Sequence, residues 1–118
     1  MKASQIIVLV MSSLLVGCAS SNKTFYWGDY STTLYHMKET ADEKYLGEHK
    51  KELLRIMDES SKRDKKVPPG VYAEYGYILL GEGNDREGME YLDREVALYP
   101  EAVVFIQRVK NEHTRGNK

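Results

Sequence analysis

The sequence predicts an all-α fold: a small antiparallel helical array with a helix pair at its centre and a C-terminal capping helix. Three observations predict it. Residues 69–100 read as two helices joined by a tight turn at Gly81 and Gly83. Residues 40–43, Thr-Ala-Asp-Glu, form a capping box ahead of a long amphipathic stretch. Residues 101–111 carry Ala102, Val103, Phe105, Ile106 and Val109, the apolar content of a last helix that hides the end of the stack. Five helices are expected, over about residues 29–38, 42–62, 69–81, 85–99 and 101–111.

The first 17 residues are not expected to belong to the fold. Lys2 gives a short positive start, and residues 6–16 are an apolar run of about eleven, the length of a signal-peptide core. A membrane-spanning helix needs about twenty. The run ends in Leu15-Val16-Gly17-Cys18, and Cys18 is the sole cysteine of the chain, which rules out an internal disulfide. This ending resembles the bacterial lipobox: aliphatic, small or β-branched, small, then the cysteine that is acylated after cleavage. The resemblance implies a lipoprotein lipidated at Cys18. Each buried CH₂ of its acyl chains contributes about 0.8 kcal/mol to anchoring. The alternative is an ordinary signal peptide with an incidental cysteine. In enteric-type bacteria an Asp after that cysteine retains the protein at the inner membrane. Here Ala19 follows, which implies the periplasmic face of the outer membrane.

Cleavage before Cys18 leaves 101 of the 118 residues, and loss of Lys2 takes the formal charge from −1 to −2. That length suits one small domain, and the near-neutral charge gives nucleic acid no electrostatic handle. Residues 18–24 are a short polar tether, 25–111 the helical domain and 112–118 a polar, frayed tail.

Residues 25–30 are the densest aromatic run: Phe25, Tyr26, Trp27 and Tyr30 around Gly28 and Asp29. Asp29 is placed to cap a first helix bearing Tyr30, Leu34 and Met37 at helical spacing. Tyr26 and Trp27 are either a partner-binding surface or, the favoured reading, a lid packed over an open helix pair. In the second helix, Tyr45, His49, Leu53, Ile56, Met57 and Ser60 trace one face. Lys62, Arg63, Lys65 and Lys66 crowd its C-terminus, where cations interact well with the helix dipole. These cations read either as a solvated helix end or as a site for anionic lipid or glycan.

Pro69 suits the first position of the third helix. Tyr72, Tyr75, Tyr77, Ile78 and Leu79 give that helix more than one apolar face. Asn84 with Glu87 makes a capping-box-like start to the fourth helix, whose stripe is Met89, Leu92, Val96 and Tyr99 before Pro100 ends it. This hairpin resembles a tetratricopeptide repeat of thirty-four residues, over residues 69–102. Tyr72 and Leu79 take the aromatic positions and Tyr75-Gly76 the Leu-Gly pair. Gly88, Leu92 and Pro100 take the small, large apolar and closing positions. Glu95 departs from the pattern, which has a small residue there. The alternative is a generic helical hairpin. In such repeats the first helix lines a concave groove, which implies Ala73, Tyr77 and Leu80 as partner-facing residues. Tyr77 combines a large ring with a hydroxyl, as interface hot spots do; the opposing reading makes it core under the N-terminal lid.

Catalytic and metal motifs are missing from the sequence. His36, His49 and His113 have no metal spacing, no G-x-S-x-G or phosphate-binding glycine loop occurs, and the acidic residues read as solvated helix faces. No cofactor, small-molecule substrate or enzymatic activity is expected. The aromatic run together with Pro-Gly-Val-Tyr-Ala-Glu-Tyr-Gly-Tyr at 69–77 resembles an uncharacterised family of small bacterial lipoproteins known only by a domain of unknown function. Its genes commonly lie beside a lipoprotein similar to the curli secretion channel. The resemblance implies a protein-binding accessory subunit of an envelope assembly. The alternative function is structural, in envelope or peptidoglycan maintenance.

Overall fold

A computed structural model describes residues 24–118. The leader, Cys18 and most of the tether therefore lie outside the described residues. Five α-helices follow one another: α1 (Tyr30–Glu39), α2 (Glu43–Lys62), α3 (Val71–Gly81), α4 (Asp85–Leu98) and α5 (Val103–Gly116). A 3₁₀ turn, Pro100–Ala102, joins the last two. No strand occurs among the described residues, and no helix among them is long and apolar enough to cross a membrane.

The capping expected of α1 is different in fact. Asp29 stands at the N-cap but its side chain caps nothing. Instead its N–H donates to Glu52 Oε1 at 2.7 Å and its carboxylate meets Arg55 Nη2 at 3.1 Å. Residues 25–30 are thereby strapped across α2. Arg55 completes the clamp with bonds to both oxygens of buried Glu52 and to the Tyr26 hydroxyl, each 2.8 Å. Gly28 makes the strap possible. Its φ is +48°, and a Cβ there would stand 2.3 Å from Glu52 Oε1, so an L side chain is opposed by both conformation and space.

α2 is capped by Asp42, which accepts from Lys44 N at 2.9 Å; the cap is not Thr40, the first residue of the predicted box. Its buried face is His49, Glu52, Leu53, Ile56 and Ser60, the predicted stripe with an unpredicted carboxylate in it. The helix ends at Lys62, and Asp64, with a φ of +52°, turns the chain out. Asp is one of the few residues that tolerate this conformation.

α3 begins at Val71 behind Gly70, whose φ is +91°. Pro69 is therefore in the preceding turn and not at the first helical position. The helix buries two faces, as its all-round apolar sequence requires. Val71, Tyr75 and Leu79 pack on Leu53 and Ile56 of α2. Ala73 and Leu80 pack with Leu92 of α4 and Ile106 of α5.

The hairpin turn is closed by Gly83 at φ +80°, with Gly83 N bonded to Leu80 O and Asn84 N to Leu79 O. The Asn84 side chain makes no cap bond. α3 and α4 then run antiparallel at near backbone contact. A Cβ on Gly76 would lie 2.8 Å from Gly88 O, and one on Gly88 2.9 Å from Gly76 O.

Glu95, buried on α4, faces the N-terminus of α3. It accepts from Gly70 N at 2.7 Å and Ala73 N at 3.3 Å. Tyr99 donates to Val67 O at 2.7 Å and ties the end of the hairpin to the loop before it. α5 buries Ile106 and half-buries Val109. It runs on to Gly116, past the predicted end at 111, and His113 Nε2 meets Asp85 Oδ1 at 2.9 Å across 28 residues of sequence.

Candidate functional site

α3 and α5 diverge on one side of the hairpin and leave a groove of about 520 Å³. Ala73, Leu92 and Val109 line its base, Tyr77 and Phe105 stand at its walls, and Glu112 and the Tyr30–Glu74 pair edge it. The two aromatics project into solvent: Tyr77 is 65% exposed and Phe105 60%. Neither is there by accident of a loop. Tyr77 follows buried Gly76 on α3, and Phe105 precedes buried Ile106 on α5, so rigid, anchored turns present both.

The polar side of the groove is built from three helices. Tyr30 donates to Glu74 Oε2 at 2.7 Å. Glu74 Oε1 meets His49 Nε2 at 2.9 Å, and His49 Nδ1 meets Thr33 Oγ1 at 2.7 Å. His49 is fully buried. Burial opposes the charge on Glu74, but the hydrogen bonds from His49 and Tyr30 outweigh it and hold its carboxyl below the usual range. Burial, then the Glu74 bond, pushes the Tyr30 hydroxyl up. Glu74 is thus a fixed acceptor at the rim. Glu112 adds a second carboxylate, and among the described residues no Lys or Arg lines the groove itself, while Lys38 lies near enough to Glu74 to favour its charge. A ligand with apolar contacts and a cationic or donor flank matches such a surface.

The sequence-predicted residues separate. Ala73 and Tyr77 share the groove, and Tyr77 is not core. Leu80 is corrected: it is 4% exposed and packs over Gly88, where a Cβ would meet Leu80 Cδ2 at 2.7 Å. α4 covers the face of α3 at the level of Leu80 and leaves it open at Tyr77. Tyr26 and Trp27 do not line the groove. Tyr26 lies under Arg63, whose guanidinium is 4.6 Å from the ring centre. Trp27 packs edge-on against Tyr30 at 5.3 Å, so it touches the site only through that neighbour. Cys18 is outside the described residues.

Phe105, Val109 and the Glu74 network were not predicted as site residues. Glu74 carried one signal, a carboxylate inside an otherwise apolar helix. No group of His, Cys, Asp or Glu among the described residues could hold a metal ion.

A family model described as domain of unknown function (DUF4810) matches residues 24–109, from the first described residue into α5. The chain belongs to that family. No curated protein and no solved structure matches it.

Proposed function

We propose that this member of the DUF4810 family is an outer-membrane-anchored lipoprotein of the periplasm. It acts there as a protein-binding accessory subunit of an envelope assembly. The favoured partner is a lipoprotein similar to the curli secretion channel. The observation that supports this reading best is the groove, with two large aromatics exposed on rigid helices and two carboxylates, Glu74 and Glu112, at its rim. Exposed aromatics set in a partly apolar depression are the usual anchors of protein recognition. The occupant that fits is a segment with apolar side chains facing Tyr77 and Phe105 and basic ones facing Glu74 and Glu112. The hairpin is read as tetratricopeptide-like, since Gly76 and Gly88 bring two helices to backbone contact as such a repeat requires. Glu95 takes the place of a small residue by capping α3 instead of packing against a further helix.

The anchor in this proposal is Cys18. Cys18→Ala is expected to yield unacylated protein that leaves the outer-membrane fraction. Equal palmitate labelling of the variant would end the lipoprotein reading. The partner is tested with a photo-crosslinking residue at position 77, compared with one at exposed Lys51. The expected product is a stoichiometric envelope lipoprotein, linked from position 77 alone and lost with Phe105→Ala. Recovery of cell-wall fragments instead would favour the structural role in peptidoglycan maintenance.

A further inference from the structure

A second surface lies where the chain enters the folded domain. Thr24 and Phe25 sit beside the end of α2, and with Arg63, Asp64, Lys65 and Lys66 they line an open recess of about 650 Å³. The end of α2 is what presents the cations. The positive φ of Asp64 swings the chain out of the helix, and the bond from Tyr99 to Val67 O then pins the loop. The nearby carboxylates Asp58 and Glu59 are engaged on the helix side, by Lys62 and Arg63. The recess is lined by Arg63, itself paired with Glu59, by Lys65 and Lys66, and by one carboxylate, Asp64. Arg63 stacks over Tyr26, and Trp27 is exposed two residues beyond Phe25.

Chain length places this edge. Cys18 precedes Thr24 by six residues, which even fully extended span only about 20 Å. With Cys18 acylated, so short a tether lets the recess reach the bilayer surface, where electrostatic attraction acts over about one Debye length, about 8 Å. Basic side chains at that range are attracted to anionic headgroups, and aromatic rings suit the interface. We infer that this recess docks on anionic phospholipid headgroups of the membrane that carries the anchor. Arg63, Lys65 and Lys66 meet phosphates, Phe25 enters the interface, and the domain is held in one orientation instead of swinging on its tether. The inference rests on the lipoprotein reading of Cys18.

The test uses the full lipidated protein, floated with vesicles of phosphatidylcholine alone or mixed with phosphatidylglycerol. Trp27 is the single tryptophan, so its quenching by a brominated phosphatidylcholine reports how close this edge lies to the bilayer. Quenching is expected to be at least about twofold stronger with phosphatidylglycerol, and to weaken in high salt, as screened attraction does. Lys66→Glu and Phe25→Ser should each return it to the phosphatidylcholine level with an unchanged circular dichroism spectrum. Equal quenching in the two vesicles overturns the docking while leaving the anchor standing. So does quenching that neither variant alters. Protein that floats with neither vesicle has no anchor, and the lipoprotein reading and the docking then fall together.

Discussion

Glu95 of α4 caps the N-terminus of α3 from 25 residues away, accepting the Gly70 N–H at 2.7 Å. Gly70, in the left-handed conformation, has no side chain with which to cap, so the cap comes from the partner helix. Removing it leaves the Gly70 N–H and the buried Ala73 N–H without this acceptor. Glu95→Ala is expected to destabilise by about 1–3 kcal/mol, read as a lower urea midpoint at constant slope. Glu95→Gln, which keeps an acceptor oxygen, should cost less.

The contact between Gly76 and Gly88 leaves no room for a side chain on either helix. A Cβ on Gly88 meets Leu80 Cδ2 at 2.7 Å and the Gly76 oxygen at 2.9 Å, and a Cβ on Gly76 meets the backbone oxygen of Gly88 at 2.8 Å. Gly76→Ala and Gly88→Ala should therefore both destabilise, although both gain helix propensity. Gly88→Leu overpacks the contact and should cost about 1–3 kcal/mol. Thermal melts of the three variants check this; no change with Gly88→Leu would mean the helices do not meet there.

Gly28→Ala tests the strap. It forces a strained φ of +48° and drives a methyl group into Glu52. A loss of about 1–3 kcal/mol is expected, with faster proteolysis before Tyr30 than in α3.

Acid should loosen the same region. Burial raises the pKa of Glu52, but hydrogen bonds from Arg55 and the Asp29 N–H outweigh it, and the net shift is downward. Glu74 is lowered likewise by His49 and Tyr30. Groups with depressed folded pKa values contribute stability that is present above their unfolded pKa, about 4.3, and lost as pH falls through the folded value. Unfolding free energy should fall as pH drops below that point. Glu52→Gln and Glu74→Gln should each be less stable at neutral pH and show a flatter acid limb.

Tyr77→Ala separates recognition from folding. Because the ring stands in solvent, stability should change by no more than about 0.5 kcal/mol, while partner crosslinking through the groove drops. A large drop in melting temperature would contradict the exposed position.

The helices were legible because their signals are local. Apolar spacing at three and four residues located α2, α3 and α4 to within a residue or two, and Gly76 and Gly88 announced a close approach. What escaped the sequence is what other helices supply. Thr40 and Asn84 looked like caps by spacing, yet the first lies outside the helix and the side chain of the second makes no cap bond. Gly70 is capped by Glu95, which no nearby pattern reveals. The extension of α5 past residue 111 goes with His113 meeting Asp85, again a distant partner. Ala73 and Tyr77 line one groove because one helix fixes both. Leu80 was misplaced because its exposure depends on where α4 lies. Phe105 could be seen as apolar but not as exposed, since the same helix buries Ile106 next to it.

The two-sided burial of α3 also governs how the molecule comes apart. Leu53 and Ile56 hold one flank of the hairpin and Ile106 the other, in separate apolar clusters. The hairpin is the element that both clusters share. Amide hydrogen exchange should resolve this as three tiers. The amides of α5 and those of α1 should exchange through independent local openings, so that Ile106→Ala accelerates the first without touching the second. The amides of α3 should exchange only when the whole domain unfolds, and should report its global stability.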